Sequence, residues 1–148
     1  VRARAGLRVL PDADFVSAAP PDVLVVPGGV VDTAAACLAT RQWVAQAAQS
    51  ASITASVCTG AFILAAAGVL REGPVTTHWE DIGDLRAQFP QLTVQEHVRW
   101  VDQGRLVTSA VPPAGKPLTI LTCSRACAKA GEVPRALSKA EPAEAWMN

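Results

Sequence analysis

Short continuous apolar runs and helically spaced apolar positions take turns along the chain. Asp22–Val26 (DVLVV) is, after its aspartate, a continuous apolar run halted by Pro27-Gly28-Gly29, as expected of a parallel strand covered on both faces. Ser52–Val57 (SITASV) reads as the next strand, Cys58-Thr59-Gly60 as a turn, and Ala61–Ala67 as an apolar helix closed by Gly68. Between the two strands, Asp32 or Thr33 is placed to cap a short alanine-rich helix. Thr40 is placed to cap a second, with Trp43, Val44 and Ala47 on one face. Gly6–Leu10 is a short strand candidate ended by Pro11. Pro74–Thr77 and Leu92–Gln95 are further strand candidates flanking a helix near Glu80–Phe89. Val98–Val101 and Arg105–Ser109 bracket Asp102-Gln103-Gly104 as a hairpin with glycine where φ is positive. Strands alternating with helices predict an α/β fold with a mainly parallel sheet. Beyond Ala110 the pattern fades and prolines 112, 113, 117, 134 and 142 interrupt it. Residues 1–110 are therefore read as the domain and 111–148 as a divergent, poorly ordered tail.

Composition narrows the class. The 148 residues suffice for one core, half of them are apolar, and mean hydropathy is +0.24. Thirteen basic residues balance thirteen acidic ones, which removes the electrostatic case for nucleic acid or an anionic membrane. No apolar run approaches the roughly 18 to 20 residues of a membrane span, and the N-terminus lacks the apolar stretch of a signal peptide. A cytoplasmic protein with reduced thiols is expected. The four cysteines, Cys37, Cys58, Cys123 and Cys127, have no disulfide-scaffold density. A chain that starts at Val1 reads as a fragment.

The chemistry gathers at strand ends. Cys58 closes an apolar strand and opens a helix, where backbone N–H groups and the helix dipole favour the reactive thiolate. Gly60 lets the chain turn sharply, as in the nucleophile elbow of serine hydrolases. A small buried core cysteine is the plainer alternative. Gly28 and Gly29 bring bare backbone to the same sheet edge, as an oxyanion- or substrate-binding turn or as an ordinary one. His78, after a later strand, is placed as a substrate-binding, base or orienting group, or as a structural histidine beside Trp79. His97 reads as surface, Asp81 and Asp84 as a solvated helix face, and Cys123–Cys127 as accidental spacing without zinc companions. No phosphate-loop or dinucleotide glycine pattern is present, and no metal or cofactor is expected.

Four segments, PDVLVVPGG (Pro21–Gly29), ASVCTGAFILAAAGVL (Ala55–Leu70), TTHWEDIGDL (Thr76–Leu85) and VRWVDQGRLVTSA (Val98–Ala110), resemble the ThiJ/PfpI superfamily in order and spacing. The resemblance implies a flavodoxin-like, class I glutamine amidotransferase-like three-layer sandwich, incomplete in this chain. Within the superfamily the pattern is most similar to the isonitrile hydratase-like group. That implies Cys58 as the nucleophile toward an isonitrile, the Thr59 hydroxyl as an orienting group, and the Gly29 N–H beside the sulfur. Protease-like members carry histidine directly after the cysteine, where this chain has Thr59. The resemblance also implies a homodimer, an acidic partner on a strand-turn-helix unit preceding Val1, and a long C-terminal helix. Val111-Pro112-Pro113 stands where the approach to that helix is expected, so a frameshifted or diverged C-terminus is inferred. Two other functions are compatible. One is the ligand-sensing domain of an AraC-family regulator, although no helix-turn-helix is legible before Asn148. The other is an inactive or redox-responsive family member.

Overall fold

The computed structural model describes residues 8–110, and the tail assigned to residues 111–148 lies outside them. Gly6 and Leu7 also lie outside. Of the strand expected at Gly6–Leu10, the described part holds only a single bridge residue, Arg8. Val9 and Leu10 are exposed and Pro11 follows.

Among the described residues six strands form two sheets. Strands β1 (Val23–Val26), β2 (Ile53–Val57), β5 (Trp100–Asp102) and β6 (Leu106–Ser109) make the main sheet in the order β1-β2-β6-β5. The β1–β2 and β2–β6 pairs are parallel, and β5–β6 is the antiparallel hairpin. Gly104 at the hairpin turn has φ 85°, the region that glycine enters without strain. Strands β3 (Gly73–Val75) and β4 (Leu92–Val94) pair in parallel as a second, two-stranded sheet. The fold is thus α/β with a mostly parallel sheet.

The parallel register places Leu24 beside Thr54 and Thr54 beside Leu106, with Val26, Ser56 and Thr108 in the next row. Residues aligned in this way share a sheet face. Leu24 and Val26 pack there against α2 (Leu38–Ser50), through Val44 and Ala47, and against α3 (Gly60–Ala66). Helix α3 buries Gly60 to Ala65, whereas the short α1 (Asp32–Ala36) buries nothing. An apolar helix lying on a sheet must come close, and its first residue shows how close. A Cβ on Gly60 would stand 2.2 Å from the Val26 carbonyl oxygen.

Two helix starts differ from the reading above. Helix α2 begins at Leu38 with Cys37 as its N-cap, so Thr40 lies inside the helix. The extended backbone of Cys37 (φ −70°, ψ 119°) ends α1, whose Thr33 carbonyl accepts the Cys37 N–H at 3.1 Å. Residues Trp79–Asp81 form a 3-10 turn before α4 (Ile82–Gln88), so the helix expected from Glu80 starts later. Among the described residues no helix is long and apolar enough to cross a membrane.

Candidate active site

Cys58 stands at the carboxyl end of β2, the middle of three consecutive parallel strands. Its φ of 57° lies in the left-handed region, uncommon for a side chain other than glycine, asparagine or aspartate. The surroundings hold it there from both sides. Its N–H donates to the Ser109 carbonyl at 2.8 Å, extending the β2–β6 ladder by one residue. Its carbonyl accepts the Thr77 hydroxyl at 3.0 Å. The chain then turns into α3 with Thr59 as N-cap, and the Cys58 side chain remains partly exposed.

The turn after β1 is pressed against this elbow. A Cβ on Gly28 would fall 2.6 Å from the Thr59 nitrogen and 2.8 Å from the Cys58 Cβ, so only glycine fits without movement. Gly29 has φ 142°, and its N–H donates to Thr59 Oγ1 at 2.8 Å. The same hydroxyl donates to the Gly29 carbonyl, also at 2.8 Å. One buried threonine therefore satisfies both polar groups of a glycine thirty residues away in sequence. In this state the Gly29 N–H and the Thr59 hydroxyl are engaged with each other.

His78 is placed differently. Its Nδ1 lies 3.1 Å from Asp81 Oδ2 and 3.8 Å from Glu80 Oε2, and its ring leans on Trp79 with centroids 5.6 Å apart. Asp81, read as part of a solvated helix face, is drawn to His78 because the 3-10 turn returns the chain after three residues. The hydrogen bond from this segment to Cys58 comes instead from Thr77, which is fully buried. Thr76 donates its N–H to Thr108 Oγ1 at 2.8 Å and its hydroxyl to the Gln95 carbonyl at 3.0 Å. Sequence reasoning passed over Thr77. The signal present was a pair of hydroxyl residues directly after a short strand whose last residue, Val75, packs in the core. His97 is exposed, with φ 58°.

The second described cysteine, Cys37, is exposed at the start of α2. The Thr40 backbone N–H and hydroxyl, helped by Ala39 and the Arg41 charge, hold its thiol below the ordinary range. Among the described residues no three His, Cys, Asp or Glu side chains come together as a metal site. Cys123 and Cys127 lie outside those residues.

A parallel sheet with a partly exposed cysteine on a left-handed elbow, clasped by a glycine turn from the neighbouring strand, defines a class of α/β domain. The chain belongs to the DJ-1/PfpI family, whose model matches residues 1–121. It is 34% identical over 116 residues to the isonitrile hydratase of Pseudomonas putida, covering 78% of this chain and 50% of that protein. It is also 34% identical over 108 residues to the HTH-type transcriptional regulator GbdR of Pseudomonas aeruginosa, covering 70% of this chain and 28% of the regulator. A ThiJ/PfpI family protein from Pseudomonas syringae superposes with a TM-score of 0.67 at 28% identity, covering 98% of this chain and 66% of that one. The chain spans less than two thirds of the length of the curated relatives it matches.

Proposed function

We propose that this chain carries the cysteine site of an isonitrile hydratase-like enzyme, with Cys58 as nucleophile. The observation that carries the reading is the clasp between Thr59 and Gly29, which holds a threonine directly after the cysteine and a bare glycine turn beside it. The similarity to the Pseudomonas putida hydratase, spanning 78% of this chain, supports the same reading.

The chemistry balances with this thiol and one water. The Cys58 sulfur adds to the terminal carbon of R–N≡C, and the thiol proton finishes on that carbon as a thioimidate, R–N=CH–S–Cys. Water then adds to the thioimidate carbon, the C–S bond breaks, and R–NH–CHO leaves with the thiol restored. In this scheme the Thr59 hydroxyl turns its proton from the Gly29 carbonyl toward the reacting group, and the turn at Gly28 and Gly29 bounds the approach. His78, oriented through Nδ1 by Asp81, stands by as a substrate-binding group. A homodimer acting on a small molecule in the cytoplasm, without metal or cofactor, completes the proposal.

Incubating the natural full-length protein with an aliphatic isonitrile and following formamide by NMR tests the reading. Turnover that falls at least about a thousandfold in Cys58→Ser supports it. Absence of turnover, or equal turnover by wild type and Cys58→Ser, overturns it. The likeness to GbdR favours a second reading, a ligand-sensing domain without turnover. Saturable binding of a small molecule with no product would be its mark.

A further inference from the structure

We infer that Thr77 is the positioning residue of the Cys58 elbow, acting through the Cys58 carbonyl. The inference rests on Cys58 being the reacting thiol and does not depend on which substrate it attacks. Strands β3 and β4 share no ladder with the main sheet, so residues beyond β3 reach it through individual contacts. Thr76 and Thr77 are both buried, at 1% and 0% exposure, and both engage the main sheet. The Thr76 N–H anchors the segment to Thr108 of β6 at 2.8 Å, which sets Thr77 beside the end of β2. From there the Thr77 hydroxyl donates to the Cys58 carbonyl at 3.0 Å.

That carbonyl is a sensitive place to hold. Cys58 has φ 57°, a conformation that a side chain keeps only when its surroundings over-determine it. The bond at its N–H fixes one side of the residue, and Thr77 fixes the other. The peptide linking Cys58 to Thr59 is trans, so its C=O and N–H point in opposite directions. A hydroxyl gripping the carbonyl therefore also aims the Thr59 N–H away from Thr77, at the side where Gly28 approaches. The hydroxyl thus sets both the sulfur-bearing residue and the first donor of the helix start.

Thr76 supplies the control, because its equally buried hydroxyl bonds the Gln95 carbonyl on the β4 side rather than the elbow. The rate of Cys58 alkylation by iodoacetamide is measured across neutral pH, with the modified peptide identified by mass spectrometry to separate it from Cys37. Thr77→Val is expected to slow Cys58 alkylation on the order of tenfold and to alter its pH profile. Thr77→Ser should restore both, and Thr76→Val should leave both unchanged despite losing a buried hydrogen bond. If Thr77→Val melts below the assay temperature, Thr77→Ala is compared in the same way. A folded Thr77 variant that alkylates like wild type overturns the inference, as does an equal loss in the Thr76 and Thr77 variants. A protein that makes no formamide yet shows the expected alkylation pattern sinks the hydratase reading and leaves this one standing.

Discussion

Two cysteines precede helices in this domain, and they are built by opposite means. Cys37 caps the thirteen-residue α2 with an extended backbone, and its thiol is tuned by Thr40 and Arg41, all within four residues. Cys58 precedes the seven-residue α3 in a left-handed conformation, and its surroundings come from three other parts of the chain. Ser109 takes its N–H, Thr77 holds its carbonyl, Gly28 packs on its Cβ, and Gly29 clasps its neighbour. Contacts local to a helix start lower a thiol's proton affinity, as at Cys37. A place where another molecule can be held beside a thiol needs converging backbone, which the parallel sheet supplies at Cys58.

The contrast breaks most visibly at Gly60. No methyl group fits there, because a Cβ would meet the Val26 oxygen at 2.2 Å and the Val26 and Pro27 carbonyl carbons at 3.0 and 3.1 Å. All three are backbone atoms that cannot rotate away. Gly60→Ala is expected to destabilise the protein by about 3 kcal/mol or more, read by urea unfolding. The same change in surroundings has no counterpart at α2, whose start at Leu38 is exposed. A loss below about 1 kcal/mol, the ordinary scale of a tolerated substitution, would mean that α3 does not press on β1 as described.

The next effect lies in the clasp. Thr59→Val keeps the shape but leaves the Gly29 N–H and carbonyl without the hydroxyl that serves both. Unpaired groups in a part-buried setting should cost about 2 kcal/mol, while Thr59→Ser, which keeps the oxygen, should cost well under half of that. Thermal melts of the two variants check the difference. Equal losses would assign the role of Thr59 to its methyl group and remove the clasp from the comparison.

What was legible in advance follows from the same division. Strand β1 was readable from its continuous apolar run, but the cover expected on both of its faces is not found, since Val25 is exposed and it is β2 that is buried on both. The elbow was readable because glycine at 28 and 60 marks close approach and at 29 a positive φ. Thr77 was not readable, because a threonine after a strand can bond any nearby carbonyl and only the packing of β3 against the main sheet selects Cys58. The start of α2 was misplaced for a related reason. Thr40 is a good cap by residue type, but the break that ends α1 falls at Cys37, a residue with weak capping preference. The pairing of His78 with Asp81 depends on a 3-10 turn, which leaves little periodic trace in three residues.

The smallest effect is the one that tests the local half of the comparison. Thr40→Val removes the hydroxyl beside Cys37 and keeps the backbone N–H, the larger of the two influences on that thiol. Because both lower the thiol's proton affinity, losing one should move the pH profile of Cys37 alkylation upward. The hydroxyl is one of several influences on an exposed thiol, so the thiolate fraction at neutral pH should fall only by a small factor. The rate should fall by less, since a thiolate of higher basicity is also the better nucleophile and recovers part of the difference. The full pH profile therefore decides the matter better than a rate at one pH. Cys58 alkylation should not change, because none of its partners lies in α2. A Cys58 profile that moved with Thr40→Val would show the two thiols to be coupled, and the distinction between a locally tuned cysteine and a sheet-built one would fail.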